Sequence, residues 1–187
     1  AEEIKPFLVT NGGPVLMLQI EDEYGSFGND KAYLNKIKQL WSDNGIDIPT
    51  FTSEKPETGM LEAGTVSGSA VGLCPGSSIE EFSLAEKVNP GVPVFSSETY
   101  LGWNTHWGEG WAKTDSAKLI SALKFLMDNK KSFNLHVVHG GTNLGFTAGA
   151  DGNGYEPVTT SYDYDAPVNE QGVATGKYYA IRNLLED

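Results

Sequence analysis

The chain has 187 residues, 39% of them hydrophobic, with 22 glycines and 8 tyrosines, a composition that fits a loop-rich globular domain and excludes a disordered segment. Its formal charge of −12 argues against nucleic acid and anionic membrane surfaces as partners, and no apolar run approaches the roughly 20 residues needed to span a bilayer. One cysteine, Cys74, excludes an internal disulfide and any cysteine-rich zinc site, and a lone thiol suits the cytosol or a bacterial periplasm.

In chain order, Ala1 to Val9 reads as the tail of a helix, so the start is expected to be cut from a longer polypeptide; no signal peptide stands there. Gly12-Gly13-Pro14 is a turn, and Val15 to Ile20 is an apolar run of strand length that ends in Glu21-Asp22-Glu23-Tyr24-Gly25. Lys31 to Asn44 carries Leu34, Ile37 and Trp41 at helical spacing, and Asn44-Gly45 closes it. Pro49 to Ser53 is a second strand, Glu54 to Gly68 reads as a glycine-rich loop, and Ala70 to Leu73 is a third strand. Ser77 or Ser78 caps a helix over Ile79 to Val88, with Glu80 and Glu81 in its first turn; Pro90 and Gly91 stop it. Val92 to Phe95 is a buried strand running through two serines into Glu98. Asp115 caps a helix over Ser116 to Asn129, Phe133 to Val138 is another buried strand, and His139-Gly140-Gly141 follows it. Leu144 to Asn169 has little periodicity, and a helix over Lys177 to Leu185 closes the chain.

Strands that are short, continuous and apolar are those of a parallel sheet covered on both faces. Acidic and polar residues recur at their C-terminal ends, namely Glu21, Glu23, Glu54, Glu98 and His139, which is where a (β/α) barrel carries its chemistry. A flavodoxin-like sheet would also alternate its elements, but its phosphate-binding glycine loop is not evident. The expected fold is α/β, a (β/α)8 barrel of which about five strands are present.

Two of these acids share a setting. Glu98 is followed by Tyr100, Trp103, His106 and Trp107, and Glu23 by Tyr24. Aromatic faces stack on the C–H side of a sugar while their polar edges hydrogen-bond. Glycoside hydrolysis needs such a pair of carboxyls, one to protonate the leaving oxygen and one to attack the anomeric carbon or to activate water. The plainer reading of either glutamate alone is a carboxylate paired with a nearby lysine or arginine.

Four blocks carry a resemblance: Val15-Leu-Met-Leu-Gln-Ile-Glu-Asp-Glu-Tyr-Gly-Ser26, Ser97-Glu-Thr-Tyr-Leu-Gly-Trp103, His139-Gly-Gly-Thr-Asn143 and Thr160-Ser-Tyr-Asp-Tyr-Asp-Ala-Pro167. In this order they resemble glycoside hydrolase family 35, the β-galactosidases on retaining (β/α)8 barrels. The resemblance implies that residues 1–187 are the C-terminal part of the catalytic barrel, roughly strands four to eight. The earlier strands would then come from elsewhere in the polypeptide; five of eight strands leave two open sheet edges, so the piece alone is expected to be inactive and poorly stable. It implies an exo-acting enzyme releasing terminal β-galactose from oligo- or polysaccharides without cofactor or metal, in a periplasmic or extracellular setting. By the same resemblance Glu23 is the acid/base and Glu98 the nucleophile, Tyr100 orients the nucleophile or touches the sugar, and Asp22 and Tyr164 contact the sugar.

Two positions depart from the family pattern. Asp22 stands where an asparagine usually precedes the acid/base; a carboxylate accepts only, and favours a 2-ammonium sugar, so an exo-β-glucosaminidase is the nearest alternative. His136 stands where a tyrosine is frequent, and reads as barrel-interior packing or as a sugar-facing group. A non-catalytic carbohydrate-binding module is a third reading. His106 and Trp107 either floor a leaving-group subsite or pack the loop, and His139 supports the turn after its strand. Glu21 is expected on the same side as Glu23 by strand alternation, as its support, or else in solvent. Asp163, Asp165 and Glu156 lack the spacing of a cation loop and read as a hydrogen-bonded loop.

Overall fold

The computed structural model describes residues 1–151 and 154–186. The long segment 144–169 therefore includes two positions, 152 and 153, that lie outside the described residues.

The first apolar run forms a shorter strand than its length predicts. Val15 bridges back to Leu8, with Val15 N–H donating to Phe7 O at 2.9 Å and Val9 N–H to Val15 O at 2.9 Å, so only β1 (Leu18–Gln19) joins the sheet. Gly13 permits that return, because a Cβ there would collide with the Phe7 backbone. The helix α1 (Lys31–Asp43) starts where the Asp30 carboxylate accepts the Tyr33 N–H, and Leu34 is its buried anchor. Leu34 packs with Ile20 and Val66, and Tyr24 and Ile37 close over that cluster. Strand β2 (Thr50–Glu54) follows as expected.

The stretch read as loop contains a helix, α2 (Thr58–Gly64). Its two glycines each cost about 1 kcal/mol of helix propensity, and its N-cap residue Glu57 makes no side-chain capping bond. Tertiary packing overrides this: Leu61 is fully buried, and Ser26 Oγ–H meets Met60 Sδ at 3.4 Å. Strand β3 (Ala70–Leu73) is buried throughout. In α3 (Ile79–Val88) the Ser78 hydroxyl accepts from Glu81 N–H while the Glu81 carboxylate accepts from Ser78 N–H, a capping box worth about 1 kcal/mol. Then come β4 (Val94–Tyr100), α4 (Ser116–Asp128), capped by Asp115, and β5 (Phe133–His136). The aperiodic segment holds only the antiparallel pair β6 (Ala150–Asp151) and β7 (Glu156–Pro157), and α5 (Gly176–Glu186) ends the chain.

Strand order in the main sheet is β1-β2-β3-β4-β5. The pairs β1–β2, β2–β3 and β3–β4 are parallel, in registers such as Leu18 with Thr50, Phe51 with Ala70 and Val71 with Val94. Beside β4, Ser96 N–H donates to Ser132 O and Leu101 N–H to His136 O, both at 3.0 Å; the two bonds advance in the same direction, so β5 is parallel too. A sheet whose spatial order equals its sequence order has no reversal point, which separates it from doubly wound folds. The fold is α/β, a partial (β/α)8 barrel of five consecutive strands.

Two compact units divide the chain: Ala1–Glu98 with Lys131–Phe133, and Thr99–Lys130 with Asn134–Asp187. The core of the first includes Leu61, Val71, Leu73 and Phe82, all fully buried; that of the second includes Leu101, Leu119, Leu123, Leu126 and Ile181. Burial stabilises each such side chain by about 1.5–3 kcal/mol.

Candidate active site

In the first unit both predicted carboxylates lie at the C-terminal end of the sheet. Glu98 is inside β4, not beyond it, and is half-buried. The residues before it are tied down: Ser97 Oγ sits 2.6 Å from Ser53 Oγ and donates to Leu73 O at 3.2 Å, and Ser96 Oγ accepts from Gly76 N–H at 3.1 Å. A Cβ at Gly72 would stand 2.5 Å from Ser97 Cβ, so glycine on the neighbouring strand makes room for that serine. The serines of Ser96-Ser97-Glu98 thus fix the strand that carries the acid.

Glu23 is held differently. Its own N–H donates to Ser53 O at 2.9 Å, and its backbone is left-handed, with φ 47°. A non-glycine residue in that region costs of the order of 1 kcal/mol and persists where surrounding contacts over-determine it. Its carboxylate is 21% exposed, with Lys55 Nζ 3.5 Å from Oε2. Asp22 is exposed, and the Gln19 amide donates to its Oδ1 at 3.0 Å.

Glu21 does not support Glu23. Strand β1 ends at Gln19, so alternation does not extend to residue 21; Glu21 turns out with φ 57° and accepts the Tyr33 hydroxyl from α1. Glu54, named in the sequence among the strand-end acids but given no role there, is the last residue of β2. Its side chain is only 1% exposed, its Oε2 accepts Gly25 N–H at 2.9 Å, and burial pushes its carboxyl up to about 7. The charges of Glu23 and Asp22 push the same way; the Gly25 N–H and the Lys31 cation oppose it. The available signal was its place at a strand end, shared with Glu98.

The second unit holds the aromatic residues. Tyr100 meets Trp103 edge-on at 5.3 Å and His136 edge-on at 5.9 Å between centroids. Tyr164, buried and with φ 62°, stacks on Tyr162 at 5.1 Å and receives the edge of His136 at 5.7 Å. His136 is therefore packed between two tyrosine rings. Behind Tyr164, the buried Lys177 Nζ donates to Leu101 O, Thr114 Oγ1, Asp165 O and Asp165 Oδ2 at 2.5–2.8 Å. Burial alone would raise the Asp165 carboxyl, but bonds from Lys177, the Thr114 N–H and Lys113 outweigh it and bring it to about 2. Gly102 allows the close approach, since a Cβ there would collide with the Tyr164 carbonyl. This lysine is a second feature unread in the sequence.

His106 lies between the Asp151 and Glu109 carboxylates, which raise its proton affinity, so it packs the loop; Trp107 N–H donates to Pro157 O at 2.9 Å while its ring is exposed. His139 bridges to Val168, supporting the turn after β5. Asp163 Oδ2 accepts Glu170 N–H at 2.9 Å, and among the described residues no cluster of three or more potential ligands could hold a metal ion. No helix among them is long and apolar enough to cross a membrane.

A parallel barrel sheet with two carboxylates at the C-terminal ends of its strands is the class of scaffold used by barrel glycosidases. Comparison with known proteins narrows this. The sequence profile of Glycosyl hydrolases family 35 matches residues 1–187, and the chain belongs to this family. It is 42% identical over 197 residues to Beta-galactosidase 17 of Arabidopsis thaliana, a match covering 98% of the chain and 28% of that protein. Beta-galactosidase 8 of Oryza sativa subsp. japonica is 41% identical (99% and 29%), and the Homo sapiens Beta-galactosidase is 36% identical (98% and 28%). The chain spans less than a third of the length of these curated relatives.

Proposed function

We propose that the protein carrying this chain is a retaining exo-β-galactosidase, with Glu98 as nucleophile and Glu23 as acid/base. The observation that carries the reading is that both acids stand at the same end of one parallel sheet, in a chain of this family and in two of the blocks that resemble it. Glu98 attacks the anomeric carbon while Glu23 gives its proton to the departing oxygen; Glu23 then takes a proton from water, whose oxygen attacks the anomeric carbon and breaks its bond to Glu98, releasing the sugar with its configuration retained. Tyr100 and Tyr164 are assigned the sugar-contacting roles of the motifs they match.

The test is Glu23→Gln in the whole protein. Loss of general acid should lower kcat/KM, which reports the first step, by roughly 10²–10⁴-fold for phenyl β-galactoside, and far less for dinitrophenyl β-galactoside, whose leaving group needs no proton. Equal loss on both substrates refutes the assignment. Asp22 favours a second reading, an exo-β-glucosaminidase, because an exposed carboxylate beside the acid/base suits a 2-ammonium group. A panel of aryl β-galactoside, β-glucosaminide and β-galactosaminide separates the two by kcat/KM. Binding of galactose with no turnover of any of them would point to a carbohydrate-binding module.

A further inference from the structure

We infer that Glu54 is a positioning residue for the proton transfer assigned to Glu23: its buried carboxyl holds the turn that carries the acid. The inference rests on the reading of Glu23 as the acid/base.

The end of β2 grips the acid-bearing turn at two points. Ser53 O accepts Glu23 N–H at 2.9 Å, and Glu54 Oε2 accepts Gly25 N–H at 2.9 Å, so consecutive residues of one strand bracket Glu23-Tyr24-Gly25. Ser53 belongs to the same fixed layer as Ser97, one residue before the nucleophile, through their 2.6 Å hydroxyl contact. The bracketed turn holds Glu23 at a left-handed φ of 47°, a conformation that an unheld glutamate leaves readily.

The seat for Glu54 is built. A Cβ at Gly64, the last residue of α2, would collide with the Glu54 carboxyl. A Cβ at Gly25 would collide with the Met60 carbonyl and stand 2.9 Å from Glu54 Oε2. Two glycines in separate elements thus leave room for one buried acid. Burying a carboxyl is costly unless it is bonded, and an apolar residue would fill the same space at lower cost. What an apolar residue cannot supply is the acceptor for Gly25 N–H. That N–H sits two residues past Glu23, and without its acceptor the turn is free to relax. Misplacement of a reacting group by about 1 Å costs of the order of 10²-fold in rate.

The proposal separates from a purely structural role by leaving group. Glu54→Ala in the whole protein should lower kcat/KM, which reports the first step, for phenyl β-galactoside roughly 10–100-fold while changing that for dinitrophenyl β-galactoside less than about 3-fold. Glu54→Gln, whose amide oxygen still accepts from Gly25, should keep both rates within about 3-fold of the parent. Glu54→Asp, one methylene short, should reproduce the alanine pattern in weaker form. If Glu54→Ala does not fold, the Gln and Asp variants carry the comparison. Equal losses on both substrates in the variants that fold, or a glutamine variant as impaired as the aspartate one, overturns the proposal. A leaving-group effect present in Glu23→Gln and missing from the Glu54 variants refutes Glu54 alone; its absence from Glu23→Gln refutes the acid/base reading beneath it.

Discussion

Glu54→Gln should remove a pH dependence from the stability of the fold. In the folded chain the Glu54 carboxyl sits at about 7, against an ordinary value of 4.5, chiefly because it is buried. The folded state therefore keeps a proton that the unfolded chain releases between pH 4.5 and 7. Stability from this group is complete below about 4.5 and is lost as pH rises to 7, the reverse of a salt-bridged carboxylate. The groups that act on it are Glu23 and Asp22, which strengthen the effect, and Lys31 and the Gly25 N–H, which weaken it. At roughly 1.4 kcal/mol per tenfold change in proton activity, the interval bounds the loss at about 3 kcal/mol. Glutamine keeps the shape and the acceptor but cannot ionise. Urea unfolding midpoints of parent and variant, taken at pH 4.5, 5.5, 6.5 and 7.5, should diverge, the parent falling relative to the variant as pH rises. Parallel curves would refute the reasoning, as would a variant that loses stability faster than the parent.

The seat can be tested from its other wall. Gly64→Ala should destabilise by about 1–3 kcal/mol, because its methyl group overlaps the Glu54 carboxyl, and most of that loss should disappear in the Gly64→Ala, Glu54→Ala double variant; additive losses in urea unfolding would show that the two do not share space. Lys177→Met should cost about 2–4 kcal/mol, below the figure for a fully buried pair because the Asp165 side chain keeps 17% exposure and a second cation, Lys113. Since the folded Asp165 carboxyl lies at about 2, below its ordinary 3.8, its contribution is present above pH 3.8 and is lost as pH falls towards 2. Acid unfolding of Lys177→Met should therefore be shallower than that of the parent across that interval; an unchanged slope would contradict the role given to this pair.

The parts of the structure legible in the sequence are those in which local chemistry and tertiary packing agree. Asp30, Ser78 and Asp115 each precede an amphipathic run, and each caps a helix. The apolar runs near residues 50, 70, 94 and 133 became strands because nothing else competes for short buried segments with polar ends. Helix α2 was missed because Gly59 and Gly64 mark a loop by propensity; Gly64 is there to make room for Glu54, a reason that exists only in three dimensions. The same holds for Glu21, where alternation was carried past Gln19 into a turn with positive φ. Lys177 read only as the first residue of a helix, and no local pattern marks a lysine whose ammonium is consumed by four oxygens. Glu23, Glu98, Tyr100 and Tyr164 stood out because they lie in blocks resembling a family, and Glu54, at an equivalent strand end, lay outside those blocks.

The central claim is that Glu98 forms the covalent bond to the sugar. Incubation of the whole protein with 2-deoxy-2-fluoro-β-galactosyl fluoride, followed by proteolysis and mass mapping, tests it most directly. The account predicts a single galactosyl adduct on the peptide containing Ser97-Glu98-Thr99, slowly reversed as activity returns, and no such adduct in Glu98→Gln. An adduct on Glu23, Glu54 or any other residue would contradict it.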